Sequence, residues 1–217
     1  MSNLMEIVFV LDQSGSMAGS ERDVIGGFNS MIKEHLDNEQ NALVTTTLFD
    51  TTMTLLHDRT PIKRIDCLTT RDYRPAGGTA LLDALGETIK RIKTAHRYSR
   101  KEDLPRKTLF VVMTDGEENS SRHYSNKQIQ QLVKRQEEKY HWEFLFIGAD
   151  IDAFSSARDI GIRPSRAISF SKDEDSFEDC FECVRRLSYS ISMCEDEERV
   201  SDEEVRRIFS PFHKNKK

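Results

Sequence analysis

The run Ile7-Val8-Phe9-Val10-Leu11, five apolar residues without a polar interruption and with β-branched members, is the strongest constraint on the fold. An amphipathic element would show a polar face every second or every third to fourth residue, and this run shows neither, so it reads as a strand covered on both sides. The same signature returns at Lys107–Met113, around Leu109 to Met113, and at Trp142–Ile147. Strands buried on both faces belong to parallel sheets sandwiched by helices.

The segments between them carry the helices. Asp23–Leu36 places Val24, Phe28, Met31, Ile32 and Leu36 at helical spacing, and a second helix opening at Thr79 points Leu81, Leu82, Leu85, Ile89 and Ile92 inward. Ser125–Lys139 repeats the pattern with Ile129, Leu132 and Val133, Ile151–Ile160 gives a short helix, and Ser176–Met193 gives a long one. Ala42–Phe49 and Thr52–Leu56 read as a hairpin about Asp50-Thr51, and Ala167–Phe170 as an edge strand. The stretch from Asp58 to Gly78, with Pro61, Pro75, Gly77 and Gly78, reads as a long connection, a length that usually serves function. Alternating strands and helices predict an α/β fold, doubly wound around a mostly parallel central sheet with helices on both faces.

At 217 residues the chain suffices for one such domain, placed at residues 1–194, followed by a charged extension at 195–217 with a short helix around Val205, Ile208 and Phe209. Its acidic stretch and basic end, Lys214–Lys217, read as solvated, with a Phe209-Pro211-Phe212 patch as a possible docking feature. A formal net charge of -5 argues against broad nucleic-acid binding. No apolar run approaches the roughly 20 residues of a membrane span, and no signal peptide is evident, so a cytoplasmic location is expected. Cys67, Cys180, Cys183 and Cys194 are expected to be thiols. Cys180 and Cys183 form a CxxC pair, but they sit on a helical face and lack a second ligand pair at zinc spacing, so buried apolar residues are the better reading.

The chemistry begins where the strands end. Asp12-Gln13-Ser14-Gly15-Ser16 follows the first strand directly, Gly77-Gly78-Thr79 leads into a helix, and Thr114-Asp115-Gly116 follows another central strand. In a parallel sheet all three segments reach the crevice beyond the carboxyl ends of the strands. Asp12, Ser14, Ser16, Thr79 and Asp115 would offer only carboxylate and hydroxyl oxygen, a set suited to Mg²⁺ or Mn²⁺. Two carboxylates leave the ion with positive charge and an open position for an external acid. Around it Tyr73, Gly78 and Glu117 are expected to form a rim that contacts a partner.

These residues resemble the von Willebrand factor A-type domain with its metal-ion-dependent adhesion site: Asp12, Ser14 and Ser16 match its DxSxS signature, and Thr79 and Asp115 its later Thr and Asp. The likeness extends from Met5 to about Phe170 and is similar to compact intracellular bacterial or phage-type members. It implies a Rossmann-like sheet with one antiparallel edge strand, and a metal that bridges to a Glu or Asp of a partner protein. A phosphotransferase of haloacid dehalogenase type would also place an Asp after the first strand, but it needs a second Asp where Ser14 stands. A structural scaffold with a stabilising ion is the other alternative, and oligomeric state is not specified by these residues.

Overall fold

In a computed structural model, which describes residues 4–38, 41–149, 153–170, 174–196 and 198–210, the chain forms a six-stranded sheet in the order β3-β2-β1-β4-β5-β6. The strands are β1 (Met5–Asp12), β2 (Ala42–Phe49), β3 (Met53–Pro61), β4 (Lys107–Thr114), β5 (Glu143–Ala149) and β6 (Ala167–Phe170). All neighbours run parallel except β2 and β3, so β3 is an antiparallel edge. The helices are α1 (Glu21–Asp37), α2 (Leu81–Tyr98), α3 (Asn126–Tyr140), α4 (Ala153–Asp159), α5 (Glu174–Met193) and α6 (Asp202–Phe209).

The strand β1 is buried at every position, which is why its sequence shows no alternation. Its odd-numbered side chains Ile7, Phe9 and Leu11 pack with α1, α5 and α6, while Val8 and Val10 pack with α2, α3 and α4. Burial on both faces therefore required apolar residues throughout. Because β2 lies on one side of β1 and β4 on the other, the sheet reverses its winding between β1 and β4, and the crevice of a doubly wound fold opens there.

Two expectations change. The hairpin's second strand continues from Met53 to Pro61, so the connection before α2 is shorter than the sequence suggests. Most of β3 is exposed or half-buried, as an edge strand is, and its polar residues Asp58, Arg59 and Thr60 hide the strand pattern. Arg59 sits at φ 48°, beside irregular pairing between β2 and β3, where its N–H reaches Thr45 Oγ1 at 3.0 Å.

The second change concerns the segment after α5, whose acidic stretch the sequence reads as solvated and whose short helix it reads as carrying a docking patch. Val200, Val205 and Phe209 are buried in the core on the α1 and α5 side. Lys107 donates to the carbonyls of Glu195, Asp196 and Glu198, Arg106 to those of Ser192 and Cys194, and Arg166 to that of Val200. Residues 195–210 are thus stitched to the N-terminal ends of the strands by basic residues at strand and turn positions. With Phe209 inward, it is not available as a surface docking residue; Pro211, Phe212 and Lys214–Lys217 lie outside the described residues, as do the first two positions of the helix expected from Ile151. Cys180 and Cys183 are buried on α5, in keeping with the apolar reading.

Candidate functional site

Asp12 is the last residue of β1 and Asp115 follows the last residue of β4, which places both at the crevice between the two central strands. Beyond Asp12 the chain turns through Ser14 into a 3-10 turn at Gly15–Met17. The Ser14 N–H donates to Asp12 Oδ1 at 2.6 Å, curling the turn back over the strand end. Ser14 Oγ and Ser16 Oγ then lie 2.9 Å apart, and Ser16 donates to Asp115 Oδ1 at 2.6 Å.

Thr79 completes the cluster from a third segment. A Cβ placed on Gly116 would come within 2.8 Å of Thr79 Oγ1, 3.0 Å of Ser16 Oγ and 3.7 Å of Ser14 Oγ. Three hydroxyls therefore converge on the small space that Gly116 leaves open. The structure brings together all five residues that the sequence nominated: Asp12, Ser14 and Thr79 are buried, Ser16 is exposed and Asp115 half-buried. The cluster is thus open on its Ser16 side.

The surrounding loops hold it in place. Gly77, at φ 69°, takes a left-handed conformation suited to glycine, and its carbonyl accepts from Gly15 N–H at 3.1 Å. Gln13 ties the turn to its neighbours, donating to Phe49 O at 2.7 Å and accepting from Ala76 N–H at 2.8 Å. Thr79 is fixed at both backbone ends: its carbonyl accepts from Asn119 and Ser120, and its N–H donates to Asn119 Oδ1 at 2.9 Å.

The helix α2 begins two residues after Thr79; Ala80 occupies the N-cap position and provides no side-chain bond. The first turn is capped from another loop instead. Glu118 accepts from Leu82 N–H at 2.9 Å, and Ser121 Oγ from Asp83 N–H at 3.1 Å. In return, Asp83 accepts from the N–H groups of Arg122, His123 and Tyr124. These reciprocal bonds fasten the loop after Asp115 to the helix that follows Thr79.

Tyr73 corrects an expectation. The sequence places it on an exposed rim, whereas its side chain is only 1% exposed and its hydroxyl donates to the Asp12 carbonyl. Burial, together with the charges of Asp12 and Asp115, pushes the phenol far above its ordinary pKa, which keeps it a donor. It supports the turn from below. Of the other rim residues, Glu117 is exposed and Gly78 half-buried.

Thr114 and Gly116 also belong to the site although the sequence reading gave them no role. Thr114 donates to Asp12 Oδ2 at 2.5 Å, so each oxygen of Asp12 has a donor. The signal for both was their position beside Asp115 in Thr-Asp-Gly.

Burial raises the pKa of Asp12 above its usual value, the bonds from Thr114 and Ser14 lower it, and the nearby Asp115 raises it. Among the described residues no basic side chain pairs with Asp12; its partners are a hydroxyl and an N–H. A cation would offset the charge of a buried carboxylate beside a second one. Hydroxyl and carboxylate oxygens around a space of less than a methyl group's clearance fit a small hard ion. Among the described residues no group of three His, Cys, Asp or Glu is placed to hold a metal, so the cluster's donors are hydroxyls as much as carboxylates. Nor is any described helix long and apolar enough to cross a membrane.

Known proteins share this architecture. Residues 2–142 match the family model described as VWA domain containing CoxE-like protein. No curated protein sequence matches. Among solved structures, the vWF domain of the type V pili tip protein Mfa5 from Porphyromonas gingivalis superposes with a TM-score of 0.62 at 13% identity, covering 91% of this chain and 98% of that one. A D319A mutant of the PilB minor pilin from Streptococcus sanguinis gives a TM-score of 0.62 at 13% identity, over 88% of this chain and 63% of the pilin. Proximal thread matrix protein 1 from the mussel byssus, in a structure with a zinc-occupied MIDAS motif, gives 0.55 at 18% identity, over 85% of this chain and 45% of that one. This chain thus spans less than two thirds of the pilin and the byssus protein. At these identities the likeness is one of fold.

Proposed function

From the premise that the chain belongs to the VWA domain containing CoxE-like protein family, we propose that it is a divalent-metal-dependent protein-binding module without catalytic activity. The observation that carries this reading is the convergence of Thr79, Ser16 and Ser14 on the space beside Gly116, with Asp12 and Asp115 at its edge. Asp12, Ser14, Ser16, Thr79 and Asp115 would hold Mg²⁺ or Mn²⁺. The ion would supply an electrophilic position open to a Glu or Asp side chain of the partner.

The chain's own residues do the rest. The Glu118 and Asp83 clamps hold Thr79 and Asp115 in register, Tyr73 and Thr114 fix Asp12, and exposed Glu117 with Gly78 forms the surface that a partner would meet. Because the ion accepts any suitably placed carboxylate, selectivity falls to this rim. A nucleophilic Asp12 has no acid partner two residues on, since Ser14 stands there and bonds to it. A cytoplasmic location, no nucleic-acid ligand and no membrane partner complete the proposal.

The test is calorimetric titration of the purified chain with Mg²⁺, Mn²⁺ and Zn²⁺, followed by partner capture in Mg²⁺ or EDTA, with Asp115→Ala as control. Metal binding and capture that both vanish in Asp115→Ala support the reading. Metal binding with capture indifferent to EDTA would leave the ion a structural scaffold role, and capture supported by Zn²⁺ but not by Mg²⁺ or Mn²⁺ would assign the working ion differently.

A further inference from the structure

At the opposite end of the sheet, a cavity of about 300 Å³ lies between the last turns of α2 and α3 and the segment that leads into β4. Its size is at the lower limit of small-molecule sites, enough for one or two rings. Four basic residues line it, Lys93, His96, Arg97 and Arg106, and no acidic residue does. In a chain of net charge -5 this local excess of positive charge is a departure from the whole.

The apolar part of the lining is flat. Trp142 is 3% exposed and stacks on Phe110 with ring centroids 5.3 Å apart, and His96 meets its edge at 5.3 Å. Tyr140 and Pro105 continue this surface. Gln136 also lines the cavity; it is fully buried, and neither atom of its side-chain amide has a hydrogen-bond partner. A buried amide without partners is costly in a folded protein.

The cations differ in how far the protein already uses them. His96 is bonded to the buried carboxylate of Glu6, and Arg106 donates to carbonyls and approaches Asp196 at 3.4 Å. Lys93 and Arg97 have no carboxylate partner among the described residues; Arg97 lies 5.8 Å from the Tyr98 ring centroid.

We propose that this cavity binds a small aromatic anion, its ring system against Tyr140, 43% exposed, and Pro105, and its acidic group between Lys93 and Arg97. Aromatic surface supplies the area and the basic side chains supply the choice of sign. The site is separate from the oxygen cluster at the other end of the strands and does not depend on it.

Trp142 is the single tryptophan of the chain, so its fluorescence reports on this cavity. The probe is anilinonaphthalene sulfonate, an aromatic anion, with uncharged phenylnaphthylamine as its neutral counterpart, followed by energy transfer from Trp142 in the full chain. The anion should saturate at one site and bind about 10-fold or more tightly than the neutral probe. Lys93→Gln with Arg97→Gln should weaken the anion by about 10-fold and leave the neutral probe unchanged. EDTA and Asp115→Ala should have no effect, which separates this site from the metal site.

Equal binding of both probes would overturn the proposal. So would charge variants that lower the melting temperature while retaining anion affinity, because the cations would then serve only the carboxyl ends of α2 and α3.

Discussion

The two ends of the sheet treat charge in opposite ways. At the carboxyl ends of β1 and β4, Asp12 is buried with hydroxyl and N–H donors and no basic partner among the described residues. At the amino ends, Glu6 is also fully buried, but Arg59 pairs with it at 2.7 Å and His96 bonds its other oxygen. Both carboxylates lie on the same strand, six positions apart, and both are shielded from water. One is neutralised by the protein itself and so serves stability. The other has only a hydroxyl and an N–H as partners, which is the arrangement the proposed ion would use.

The largest effects should come from undoing each arrangement. Glu6→Ala leaves Arg59 half-compensated in a buried setting and should cost about 3–5 kcal/mol, seen as a shifted denaturation midpoint with metal affinity of the folded fraction unchanged. Gly116→Val places side-chain atoms among Thr79 and Ser16, and should weaken metal by about 100-fold or more in calorimetry while the circular dichroism spectrum is retained. If either variant affected both quantities equally, the contrast between the two ends would fail.

Smaller changes sharpen it. Tyr73→Phe removes the donor to the Asp12 carbonyl and should cost about 1–2 kcal/mol of stability by chemical denaturation, with a modest loss of metal affinity. The folded-state pKa of Asp12 is raised, so its ionisation opposes folding as pH rises above the ordinary carboxylate value. The increment in melting temperature given by Mg²⁺ should therefore grow with pH through that window, and a flat increment would remove Asp12 from the ligand set.

Asp83→Asn should have the least effect, about 1 kcal/mol at neutral pH. Burial raises the Asp83 carboxyl, but the N–H groups of Arg122, His123 and Tyr124 outweigh it and hold the carboxyl below its usual value. The stability it adds is present above that value and lost as pH falls through the lowered one, so wild type and variant should converge in acid.

The core strands were legible because burial on both faces leaves a local mark, an unbroken apolar run such as Ile7 to Leu11. The meeting of the oxygen donors was legible for a related reason: in a doubly wound sheet, residues just past central strands share one crevice. Strand β3 was truncated in the sequence reading because its polar edge position leaves no apolar pattern. Tyr73 was misplaced because an aromatic between charged neighbours reads as exposed, and only the packing of its loop beneath Asp12 turns it inward. Residues 195–210 misled for the same reason, since charges around Val200, Val205 and Phe209 mask three buried anchors.

The sequence by itself determined the order of strands and helices, the doubly wound class and the oxygen donors, because each rests on periodicity or on chemistry at a strand end. Only the tertiary structure decided which donors meet and which charges are already satisfied. Glu118 capping α2, Tyr73 holding Asp12, Gly116 leaving room for three hydroxyls and Lys93 beside Trp142 all join segments distant in the chain. Such pairings depend on how loops close over the sheet, and no local pattern records them.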